Sequence, residues 1–445
     1  MFKKFAFVIL SAFALLASGA ANATLKMQTW TLPTGVRVYF VENHSIPVLD
    51  VSVEFDAGSR RDPDGKAGVA KLTNAMLARG LREQKLTDGS VEPEVAEAVI
   101  SDGFADIAAQ RGGGAGIDRA GATLRTLSSK EERERAVSLL ARVLAHPAFP
   151  QSLFERDKAR TLSSIREDLT KPEPIASKAF WRLLYQDHPY ARQETVETVE
   201  SVTRDDLVAF HSRHYVANRA VVAMIGDITR EEADAIAREL TRRLSQGAPL
   251  PAMPAVQPAT GTEQRIPHPA SQSHIMIGTP AISRGDPDFF PLTVGNYVLG
   301  GGGFVSRLTH QVREKRGLAY SVYSYFNPLA QPGPFQAGLQ TQKERTDDAL
   351  KLVREVIAGY LRDGPTPKEV KAAKSNLVGG FPLRIDNNRK ILDNVAMIGF
   401  YEMPLDYLDT WTANIEKVTV ADIRAAFRRK LGSSPLSTVI VGAPQ

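Results

Sequence analysis

The sequence predicts an α+β protein made of two homologous sandwich domains, each a mainly antiparallel sheet with helices packed on one face. Three observations predict it. First, a proline-rich stretch, 246–261, carries Pro249, Pro251, Pro254 and Pro258 among small residues and divides the chain into halves of similar length. Second, the halves repeat. Ser59-Arg60-Arg61-Asp62-Pro63-Asp64 returns as Ser283-Arg284-Gly285-Asp286-Pro287-Asp288, and Val202-Thr203, Asp206 and Gly226 return as Val418-Thr419, Asp422 and Gly442. Two matches in the same order, at nearly the same offset, indicate a duplicated domain rather than a solenoid. Third, β-forming runs alternate with amphipathic helical patterns in each half.

The elements follow in order. Residues 36–41 and 48–55 cluster β-formers and predict strands. Ser129 and Glu132 predict a capping box ahead of a helix whose apolar stripe is Ala136, Val137, Leu140, Val143 and Leu144. Thr229 and Glu232 predict another. Residues 219–225 and 436–441 read as buried strands closing each half.

At the N-terminus, Lys3 and Lys4 precede an apolar run from Phe5 to about Ala17, and Ala21-Asn22-Ala23 follows. This is the layout of a secretory signal peptide, residues 1–23, cut after Ala23. The run is shorter than the roughly 20 residues that span a bilayer, so no membrane span is expected and the mature chain is placed in a periplasm or outside the cell. There is no cysteine, which excludes disulfides, thiolate metal sites and a cysteine nucleophile. The net charge of +5 is slight for 445 residues, with no basic run interleaved with aromatics, so nucleic acid is not an expected partner. Gly300 to Gly303 and Gly112 to Gly116 lack a following Gly-Lys-Ser/Thr, which argues against nucleotide binding. Of eight histidines only His211 and His214 are close in sequence, and no third ligand lies near them. A packing or surface role is expected there.

The run from Gly68 to Gly80 has apolar residues at 69, 72, 76 and 77 and predicts a helix after the Ser-Arg-x-Asp-Pro motif. In this setting it resembles the metal-binding helix of the pitrilysin family of metallopeptidases, the inverted zincins, which reads Gly-apolar-Ala-His-x-x-Glu-His. Histidines four apart lie one above the other on a helix and can grip one zinc, while the glutamate reaches a metal-bound water. Here Lys71 and Ala75 take the histidine positions and Asn74 the glutamate position. The family's third ligand, a glutamate in a later helix, aligns with Ser164 in the run Glu155 to Ile165. All four metal positions are changed, so no zinc and no other cofactor is expected in this chain.

The second half retains what the first has lost. Leu299 to Leu308, with Gly301, Gly302 and Gly303, then Val312 to Val322, resemble the family's second-domain signature: a glycine turn, a helix, then an arginine and a tyrosine seven residues apart. The resemblance implies that Arg313 and Tyr320 hydrogen-bond a substrate backbone near the scissile carbonyl, and that the glycine turn Gly301–Gly303 contacts substrate. Arg316 is the rival for the arginine role, at a poorer spacing. In the first half, Arg111 to Gly116 falls where the family has an exposed edge strand that a peptide can extend, though its glycine richness departs from the family pattern.

The resemblance covers the whole mature chain: a peptidase-like domain at 24–245 with a degenerate zinc motif, the linker at 246–261, and a peptidase-like domain at 262–445 with the Arg/Tyr motif. It implies the zinc-free subunit of a heterodimeric periplasmic peptidase, inactive alone, whose homologous partner carries zinc and whose substrate is a peptide or unfolded segment. Two alternatives stand beside it: a non-catalytic binding or scaffold subunit, and an active enzyme using unrecognised ligands; in isolation, without the partner, a homodimer is the other assembly open to the chain.

Overall fold

A computed structural model of the protein describes residues 25–85 and 89–442. The expected signal peptide lies outside the described residues. The first half contains β1 (Met27–Thr31), β2 (Arg37–Glu42), β3 (Val48–Phe55), α1 (Val69–Met76), β4 (Gln110–Ala115), β5 (Ala120–Leu127), α2 (Lys130–Ala145), α3 (Gln151–Asp168), α4 (Pro172–Tyr185), α5 (Arg204–His214), β6 (Val221–Gly226) and α6 (Arg230–Thr241). The second contains β7 (Glu263–Ile266), β8 (Gln272–Ile282), α7 (Phe289–Asn296), β9 (Ala319–Phe326), β10 (Gly333–Gln342), α8 (Thr346–Asp363), α9 (Pro367–Gly380), α10 (Asn388–Phe400), α11 (Val420–Leu431) and β11 (Ser437–Val441).

The sheets run β1-β2-β6-β3-β5-β4 and β7-β11-β8-β10-β9. In each, the closing strand lies between two earlier strands, parallel to one (β6 to β2, β11 to β7) and antiparallel to the other (β6 to β3, β11 to β8). The remaining pairings are antiparallel. The closing strands are buried along their whole length, as their near-continuous apolar runs require.

The repeated residues have local jobs that explain their recurrence. Thr203 with Asp206, and Thr419 with Asp422, form reciprocal capping boxes at the starts of α5 and α11. Such a cap satisfies two helix-end N–H groups and stabilises by about 1 kcal/mol. Gly226 and Gly442 end the closing strands at φ +159° and +102°; a Cβ there would lie 2.3 Å from Val48 O and 2.7 Å from Gln272 O. Thr229 and Glu232 form the expected capping box on α6. Ser129 does sit at the N-cap of α2, but its hydroxyl bonds the Glu132 carboxylate instead of the N3 amide, so that box is not closed.

One layer goes beyond the expectation of helices on a single face. The other face of each sheet is covered by a helix from the opposite half: α4 packs on β8 and β11, and α10 packs on β6, β3 and β2. Phe180 and Leu184 thus share a core with Met276, Val439 and Val441, and Leu392 and Val395 share one with Tyr39, Val221 and Ala223. The halves therefore bury apolar surface that neither would cover alone.

Candidate functional site

The positions expected to have lost zinc lie on α1 and α3. Asp62 accepts from Gly68 N (2.8 Å) and Ala70 N (2.7 Å), which anchors the start of α1; burial pushes its carboxyl up to about 7. Lys71 points outward and pairs with Glu194, Nζ to Oε2 at 3.0 Å. Ala75 and Ser164 are exposed, whereas Asn74 is buried. Its Nδ2 donates to Gly121 O (2.9 Å) and to Tyr215 Oη (3.1 Å), tying α1 to the sheet and to the end of α5. None of the four offers an imidazole or carboxylate, so these residues do not fit a zinc ion. Among the described residues, no group of three or more His, Asp or Glu is placed to hold a metal.

His211 and His214 serve packing. His211 Nε2 is 2.8 Å from Leu144 O and His214 Nδ1 is 3.0 Å from Asp56 O, each a carbonyl that requires the ring N–H to donate. His211 also stacks on Tyr215 at 5.0 Å. Burial holds both imidazoles down at about 4. The unfolded chain takes up protons below about pH 6.5 that the folded chain refuses until about pH 4, so stability is lost as pH falls through that window. The loss is at most about 1.4 kcal/mol per pH unit for each histidine. Asp62, held up at about 7, acts in the opposite sense over the same range, so the test is the difference between variants: from pH 7 to pH 5 a His211→Gln variant is expected to lose less urea midpoint than the parent, and equal losses would contradict the assignment.

Arg313 and Tyr320 do come together, through three departures from regular structure. The chain makes π-helical turns at Tyr297–Gly301 and Thr309–Glu314, on either side of the glycine turn, and Arg313 sits in the second. Such turns re-aim side chains and are frequent at functional sites. Gly303 takes φ +59°, which favours glycine. The register of β9 against β10 then shifts between Ala319 and Val322, and this bulge turns both Tyr320 and Ser321 outward. Tyr320 is 81% exposed.

The Arg313 guanidinium lies 4.7 Å from the ring centroids of both Phe304 and Tyr320. It makes no hydrogen bond or ion pair with any described residue, so its N–H groups are held in place by the two rings and remain unspent. Arg316 is exposed and outside this stack. Gly301, Gly303, Phe304, Arg313 and Tyr320 line a cleft of about 420 Å³. Gly302 does not line it; its α-carbon backs onto Tyr297. Lys71, Asn74, Ala75 and Ser164 are not among the residues that line this cleft.

The edge strands of the two sheets differ. On β9, Ser324 O accepts from Asn296 Nδ2 (2.9 Å) and Val322 O from Thr309 Oγ1 (3.4 Å), which closes that edge to another strand. The run from Gln110 to Ala115 is an edge strand, β4, despite its glycines, and pairs only with β5. Sequence reasoning also missed Glu194, the partner of Lys71, which carries no local signal.

Two α/β halves that share their outer helices, with no metal-ligating side chain at the four expected positions and with Arg313 and Tyr320 together in an open cleft, define the class of scaffold to which the relatives below belong. A family model described as the peptidase M16 inactive domain matches residues 201–377. A crystal structure of a peptidase M16 inactive domain from Pseudomonas fluorescens is 36% identical, with a TM-score of 0.88 over 95% of this chain and 98% of that one. An uncharacterized zinc protease of Mycobacterium leprae is 28% identical over 89% of this chain and 87% of its own length. A protein of Helicobacter pylori named a non-peptidase homolog is 26% identical over 91% of each. The chain belongs to the M16 family of peptidases, the pitrilysin type, and to its inactive members.

Proposed function

We propose that this chain is the zinc-free subunit of a heterodimeric peptidase and completes the partner's active site with Arg313 and Tyr320. The observation that carries the reading is the Arg313 guanidinium, fixed between Phe304 and Tyr320 with every N–H unspent, in a chain whose described residues hold no group placed to bind a metal. A guanidinium and a phenol placed this way can donate to the carbonyl oxygen of a peptide as it gains negative charge. An extended peptide would lie along the open edge of β4 by main-chain pairing, with Gly301 and Gly303 at the second-half cleft letting a backbone approach closely. On the same reading the halves, 24–245 and 262–445, are duplicates joined by the linker 246–261, a correspondence that the matching strand orders support. The leader 1–23 directs the chain to the periplasm, and no described helix is long and apolar enough to cross a membrane.

The purified chain is expected to hold no stoichiometric zinc and to leave unfolded casein intact. Adding a homologous M16 subunit with an intact His-x-x-Glu-His should restore cleavage at a stoichiometric ratio. Turnover by the chain alone, or a partner indifferent to its presence, would sink the proposal. The second outcome would favour the scaffold reading, which the name of the Helicobacter pylori relative also favours.

A further inference from the structure

The repeated Ser-Arg-x-Asp-Pro-Asp motif places Arg60 and Arg284 at matching positions. Their backbone environments match too: Arg60 N donates to Ile117 O (3.0 Å) and Arg284 N to Leu329 O (2.7 Å). The next residue after each acceptor, in the connections β4–β5 and β9–β10, is Asp118 in one half and Ala330 in the other. Asp118 Oδ1 lies 2.9 Å from Arg60 Nη1, and Asp56 Oδ1 lies 3.0 Å from Arg60 Nη2. Arg284 has no such acid. Its side chain makes no hydrogen bond or ion pair with any described residue, its Nε is buried without an acceptor, and its guanidinium rests only against the ring of Tyr401, 5.3 Å from the centroid.

Arg60 and Arg284 line one cavity of about 470 Å³ in the seam between the halves, together with Arg37 and Arg219. The carboxylates on its wall are already engaged. Asp56 is held by Arg60 and Arg61, and Glu402 by Arg37. Arg219 spends its terminal nitrogens on the carbonyls of Ala248 and Arg213 and meets no carboxylate. Four guanidinium groups thus share a partly buried space with two carboxylates. Placing two uncompensated cations in such a space is unfavourable unless water or an anion answers them. A planar guanidinium with all its N–H groups free is matched in shape and charge to an oxyanion.

We propose that this seam binds a small oxyanion of the phosphate class, with Arg284 as its main donor, and that the bound ion ties the two halves together. The alternative is a hydrated arginine stacked on Tyr401, with no ion specificity. The two differ in thermal unfolding of the purified chain at pH 8, in increasing inorganic phosphate against sodium chloride of equal ionic strength. Phosphate is expected to raise Tm saturably, by roughly 2 °C or more, because a ligand that binds only the folded state stabilises it by mass action. Arg284→Gln should abolish that rise while leaving Tm in chloride within roughly 2 °C of the parent. Ala330→Asp offers Arg284 the acid that Arg60 already has, and should abolish the rise without removing a positive charge. It decides the matter if Arg284→Gln does not fold. No phosphate-specific rise in the parent, or an equal rise in the variants, overturns the proposal.

Discussion

Replacing Arg313 with alanine in the reconstituted complex is expected to lower kcat at least about tenfold, with KM moved less and assembly intact. The guanidinium sits 4.7 Å from two ring centroids and spends no hydrogen bond on the protein, so its removal leaves no buried partner unsatisfied. The loss should therefore be catalytic and not structural. Tyr320→Phe separates the two donors: it keeps the ring that supports Arg313 and deletes only the hydroxyl, and the same direction of change is expected. Arg313→Lys keeps the charge but not the planar group that lies between two rings, and should recover only part of the rate. Leu383, a 68% exposed residue outside the cleft, serves as a control, since Leu383→Ser should leave kcat unchanged. Full activity in both Arg313→Ala and Tyr320→Phe would refute the catalytic assignment and leave these residues as part of a binding surface.

What the sequence made legible was local. The capping box at Thr229, the closing strands and the helix at Val69–Met76 each follow from residues within a turn or two of one another, whereas Thr203 with Asp206 and Thr419 with Asp422 were legible only as a repeat and not as the caps they form. The pairing of Arg313 with Tyr320 was legible because a seven-residue spacing is a motif, but the bulge that exposes Tyr320 was not. It arises from the register of β9 against β10, strands whose partners are distant in sequence. The capping box expected at Ser129 is not closed because two side chains in reach of each other bond directly, a choice that residue spacing cannot express. Strand β4 shows the limit of periodicity: three consecutive glycines give no alternation to read, and only the family resemblance pointed to a strand there. The exchange of α4 and α10 between halves was invisible for a different reason. An amphipathic helix reveals which of its faces is apolar and nothing about which sheet will cover it.

The same limit hid Asp118, whose replacement by alanine carries the largest stability effect expected for this chain. In the sequence it is one aspartate before a strand, the usual mark of a turn. In the fold it is 2% exposed, and both carboxylate oxygens are fully used. Oδ1 accepts from Arg60 Nη1 and from Tyr190 Oη, each at 2.9 Å; Oδ2 accepts from Ala330 N and from Tyr401 Oη, each at 2.8 Å. Tyr190 Oη in turn accepts from Gln331 N at 3.1 Å. Two of the four donors belong to each half, so a single carboxylate joins the halves through a buried, saturated network. Removing it leaves Arg60 with Asp56 as its one remaining carboxylate, and strands two phenols and an amide at once. Breaking a buried ion pair by deleting one partner costs about 3–5 kcal/mol, before the orphaned phenols are counted. Asp118→Ala is thus expected to lose at least about 3 kcal/mol in urea unfolding. Asp118→Asn, which keeps the shape and one acceptor, should fall between the two. Because the lost contacts lie at the seam, the variant should also separate the unfolding of the halves, seen as fluorescence transitions of Trp30 and Trp411 that no longer coincide. A loss below about 1 kcal/mol with coincident transitions would mean that the exchanged helices α4 and α10 hold the halves together without this carboxylate.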